Sequence, residues 1–66
     1  MQITVNGKSR QAADQLKLDE LVREISDRST GIAVALNGEV VPRSSWPAAR
    51  LRDGDRVEVL TAAQGG

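Results

Sequence analysis

The chain has 66 residues, nine Lys+Arg against nine Asp+Glu, no Cys, no His and a single aromatic ring, Trp46. Without Cys there is no disulfide, thiolate nucleophile or Cys-based zinc site, and without His the side chain that titrates nearest neutrality is missing. A domain this small buries only about 60% of its unfolded surface, which leaves little volume for a closed active site, so a binding or carrier module is expected rather than an enzyme.

Met1 to Val5 alternates apolar and polar residues with the period of a strand. Asn6-Gly7 follows, the pair best suited to a type I′ hairpin because both positions need positive φ. The return strand, 8–12, is polar and is expected at a sheet edge, where charges discourage further pairing. Leu18, Leu21, Val22 and Ile25 then fall at i, i+3, i+4 and i+7, the apolar stripe of one helix. Asp19 with Arg23, and Glu24 with Arg28, have the acid-first spacing of supporting ion pairs. Glu20 stands where a capping box reaches back, but Lys17 holds the cap position, so the box is expected to be incomplete. Gly31 is expected to end the helix.

Ile32, Val34 and Leu36 share one face of the next strand, with Ala33 and Ala35 on the other. Asn37-Gly38 makes a second I′ signal, and the strand 39–41 returns until Pro42 stops it. A connection carrying Trp46 leads to Asp53-Gly54-Asp55, read as a turn; two carboxylates around one glycine make a weak metal site, and none is expected. The last strand runs 56–60. A 1–60 domain followed by a 61–66 tail of small residues ending in Gly65-Gly66 is the resulting division.

One amphipathic helix and a sheet give a two-layer α+β molecule. Its order of elements resembles the ubiquitin-like β-grasp fold, a mixed five-stranded sheet with one main helix packed on one face. In that fold the first and last strands pair in parallel at the centre. Zero net charge argues against nucleic acid, whose non-specific affinity comes from neutralised phosphates. No apolar run approaches a membrane span, and with no targeting segment a cytoplasmic protein is expected.

The terminal pair is the most informative feature. At about 7% glycine usage, two terminal glycines arise by chance roughly once in 200 chains, so they need support from the rest of the sequence. Glycine lacks Cβ and lets foreign atoms approach the backbone closely, which suits a carboxylate threaded into another protein's site. The stretches GIAVALNGEVVPRSSW and LRDGDRVEVL, with MQITVNG and the final GG, resemble the thiamine-biosynthesis sulfur carrier family. The resemblance spans essentially the whole chain. It departs at Lys17, where the family usually has Thr, and in the more polar second strand.

The resemblance implies a cycle on the Gly66 carboxylate, with Gly65 giving access. An E1-like adenylyltransferase, using ATP and magnesium, would form an acyl-adenylate; a persulfide sulfur donor would convert it to a thiocarboxylate. The sulfur would then pass to thiazole synthase. The chain is thus expected to bind no cofactor of its own. Trp46 is expected to pack over the core. The sheet face away from the helix is expected to dock partners through Ala33, Ala35 and Leu60; Pro42-Arg43 is expected to end the fourth strand, with contact to an acidic partner surface the alternative role for Arg43. The alternatives are a carrier resembling the molybdopterin synthase small subunit, a ubiquitin-like protein modifier, and a purely regulatory β-grasp module.

Overall fold

The computed structural model describes residues 1–26 and 31–61. Five strands and one α-helix follow in chain order: β1 (Gln2–Val5), β2 (Lys8–Gln11), α1 (Leu18–Ile25), β3 (Ile32–Leu36), β4 (Glu39–Val41) and β5 (Arg56–Thr61). A 3₁₀ segment, Arg43–Ala48, lies between β4 and β5. The sheet order is β2-β1-β5-β3-β4, with β1 and β5 parallel and the other neighbours antiparallel. The last strand is therefore central, as the β-grasp resemblance implies.

Both hairpins have the backbone their Asn-Gly pairs call for: Asn6 and Asn37 at φ 51°, Gly7 at 82° and Gly38 at 88°. The two edges are protected differently. β2 is polar along its length, while β4 has three residues and stops before Pro42.

The core is built on one face of the sheet. Ile3 and Val5 from β1, Val34 from β3 and Val57 from β5 pack with Leu18, Leu21 and Val22 of α1, and Trp46 and Leu51 complete the cluster. Trp46 is 5% exposed, as its packing role requires, and its indole N–H donates to the Val41 carbonyl at 2.9 Å. The Arg43 guanidinium stands 5.8 Å from the centroid of that ring.

The helix starts as the sequence reading expects, with an incomplete box, and differs from it at the C-terminal end. Glu20 does reach back, accepting the Lys17 main-chain N–H at 3.0 Å, but a lysine ammonium has no acceptor to return the bond. The helix closes at Ser26, whose backbone is extended and whose N–H donates to Val22 O at 2.9 Å. Gly31, expected as the terminator, instead precedes β3 at φ 73°. Ile25, the last member of the stripe, is 37% exposed rather than core. Asp19 pairs with Arg23 at 3.2 Å, whereas Glu24 pairs across to Arg10 of β2 at 2.8 Å. Arg28, its expected partner, lies outside the described residues.

The Asp53-Gly54-Asp55 segment is a turn that ties β5 to the start of β1. Asp53 accepts the Gln2 N–H at 2.8 Å, Gly54 N–H donates to Gln2 O at 2.7 Å, and Asp55 accepts the Arg52 N–H at 2.8 Å. Both carboxylates are thus engaged in holding backbone.

Candidate functional site: the uncovered sheet face and the exit of the last strand

Strand alternation sends every second side chain to the face that α1 leaves uncovered. On the β2–β1 half this face carries polar groups; Gln2 and Ser9 hydrogen-bond across it. On the other half most residues are apolar, with Glu58 among them. Val40 of β4 pairs with Ala35 of β3, Ala35 with Glu58 of β5, and Ala33 with Leu60. Together with Asn6 these line a shallow depression. Leu60 is 68% exposed and Val40 76%, unusual for large aliphatics and the kind of patch that marks a contact site. Glu58 stands within this patch and makes no ion pair with any described residue.

The expected docking residues Ala33, Ala35 and Leu60 are therefore brought together on one surface. Arg43 is not among them; it is exposed above Trp46. Val40 escaped the sequence reading. Its signal was present in Glu39-Val40-Val41, where strand alternation turns only one valine inward.

The exit of β5 lies at the end of this patch. Thr61 is the last described residue and pairs with Ile32. Gly65 and Gly66, expected from the resemblance to carry the chemistry, lie outside the described residues. Among the described residues, no three acidic, His or Cys side chains gather as a metal cluster, and no helix is long and apolar enough to cross a membrane.

Comparison with known proteins identifies the family. The family model described as the ThiS family matches residues 3–66, Gly65-Gly66 included. The chain belongs to the ThiS family. The sulfur carrier protein ThiS of Escherichia coli K12 is 33% identical over 66 residues, covering all of both chains. A crystal structure of the thiamine biosynthesis protein ThiS from Geobacter metallireducens superposes with a TM-score of 0.85 at 38% identity, again covering all of both chains. A thiazole synthase from Paramagnetospirillum magneticum is 32% identical over 66 residues, which is all of this chain and 20% of that protein.

Proposed function

We propose that the chain is the sulfur carrier of thiamine thiazole formation, a substrate and donor rather than an enzyme, with Gly66 as the residue that is modified. The carrying observation is the full-length match to a sulfur carrier combined with a family match that runs through Gly65-Gly66. A free α-carboxylate, with a reference pKa of about 3.3–3.7, is ionised and a poor electrophile at neutral pH. An E1-like adenylyltransferase activates it. With ATP and magnesium, a carboxylate oxygen bonds to the α-phosphorus and pyrophosphate leaves. The terminal sulfur of a donor persulfide then attacks the carbonyl carbon and displaces AMP, giving an acyl disulfide. A donor thiol cleaves the S–S bond, leaving the thiocarboxylate on Gly66 and a disulfide on the donor. ATP, magnesium and the catalytic groups all belong to the partners.

The thiocarboxylate sulfur is delivered to thiazole synthase. The similarity to a segment amounting to 20% of a protein bearing that name supports this recipient over the molybdopterin branch. Ala33, Ala35, Val40 and Leu60 form the docking face, and Arg43 is a separate contact to an acidic partner surface.

The test is intact mass after incubation with the adenylyltransferase, ATP, magnesium and a persulfide donor. An oxygen-to-sulfur increase is expected, and an unchanged mass contradicts the reading. Because the chain has no Cys, a gained sulfur cannot be mistaken for a persulfide on its own thiol.

A further inference from the structure

The two Asn-Gly turns do more than reverse the chain, because each asparagine also grips β5 through its side-chain amide. Asn37 holds the start of the strand: its Oδ1 accepts the Arg56 N–H at 2.9 Å, and its Nδ2 donates to Asp55 Oδ1 at 3.0 Å. Asn6 holds the exit. Its main-chain N–H, one residue past β1, donates to Val57 O at 2.9 Å. β1 then turns away, and no β1 residue stands opposite Val59. The Asn6 amide takes that place, its Oδ1 accepting the Val59 N–H at 2.8 Å and its Nδ2 donating to Val59 O at 3.3 Å. A side-chain amide has the donor and acceptor of a peptide unit, so it adds one rung after the strand itself has ended. Beyond that rung the described part of β5 is paired on one side only, with Ala33 and Ile32 of β3.

We propose that Asn6 is a positioning residue for the reactive terminus, fixing the direction in which β5 delivers its tail to the activating enzyme. This rests on the sulfur-carrier reading above. From Val59 to Gly66 there are seven residues, an extended reach of at most about 25 Å. A rung that holds the root on both sides narrows the volume in which the carboxylate must be found, and so reduces the ordering that binding to the enzyme demands. Asn37 supplies the control: the same residue, turn and φ, and an amide that also accepts a β5 N–H, that of Arg56, but at the end remote from the tail. Glycine accepts the positive φ of either position, so Asn6→Gly and Asn37→Gly both keep the turn while removing the amide.

The experiment follows pyrophosphate release by the adenylyltransferase as the carrier concentration is varied, with amide exchange measured on the free chain. Asn6→Gly is expected to raise KM for the carrier roughly five-fold, the factor set by about one net hydrogen bond, with kcat unchanged. It should also cut exchange protection at Leu60 more than at Val34. Asn37→Gly should leave KM unchanged, and Asn6→Asp, which keeps an acceptor for the Val59 N–H, should recover part of the loss. Equal KM changes in the two glycine variants, or unaltered protection at Leu60 in Asn6→Gly, would overturn the proposal. If the wild-type chain itself supports no pyrophosphate release, the sulfur-carrier reading is what fails, and Leu60 exchange still decides whether Asn6 holds the exit.

Discussion

At the scale of single residues, Trp46 shows how much of so small a core rests on one side chain. It fills the cluster beside Leu51 and satisfies its only polar atom on the Val41 carbonyl. Trp46→Ala should cost about 3–5 kcal/mol, enough to unfold much of the population of a domain this size. Trp46→Phe keeps most of the packing but leaves that carbonyl without its indole donor, and should cost about 1 kcal/mol. Urea denaturation with unchanged m-values checks both. Trp46 was readable from sequence because a lone large aromatic near a leucine has few better places to go. The amide roles of Asn6 and Asn37 were not. An Asn-Gly pair announces its turn locally, but the strand its side chain grips lies 53 residues away for Asn6 and 19 for Asn37.

At the scale of elements, the helix carries a correctable weakness. The sequence shows Lys17 in the cap position, and the structure leaves the Lys17 side chain with no part in the cap. Lys17→Thr should stabilise the chain by about 0.5–1 kcal/mol, read as a higher urea midpoint at constant m. The Arg10–Glu24 pair joins β2 to α1, but both side chains are well exposed. Glu24→Gln should therefore change stability by less than about 1 kcal/mol, and less still at high salt. Periodicity made the strands, the hairpins and the helix stripe legible. It could not show that Glu24 turns to β2, since that choice belongs to tertiary packing. Nor did it show the 3₁₀ turn at Arg43–Ala48, which is too short for a repeat to emerge and carries a proline inside it. The helix end was misplaced for a similar reason: Gly31 advertises positive φ, which it has, but the chain had already left the helix at Ser26.

At the scale of the molecule, the fold separates two tasks. One sheet face is spent on the core beneath α1. The other is left open, polar toward β2 and carrying the exposed Ala33, Val40 and Leu60 beside the β5 exit, where on the proposed function an enzyme drawing in the terminus would meet them. Ala33→Arg and Leu60→Arg change exposed positions, so thermal stability should move little while affinity for the adenylyltransferase falls at least ten-fold, the effect of about 1.4 kcal/mol at a contact centre. Titration calorimetry alongside a melting curve separates the two quantities, and retained affinity in both variants would place docking elsewhere.

The side-chain inventory, with no Cys and no His, is what directs attention to the main chain: the proposed reactive group is a terminal carboxylate that no residue count can display. Its most direct test is to locate the sulfur. After loading by the adenylyltransferase and persulfide donor, trypsin releases the peptide Val57–Gly66 by cutting after Arg56, and fragmentation places the added atom. A single oxygen-to-sulfur exchange at the Gly66 carboxyl is expected, absent from a chain lacking Gly66 that melts at the wild-type temperature. Sulfur found on any other residue, or the terminus recovered joined to a lysine of another protein, would contradict it.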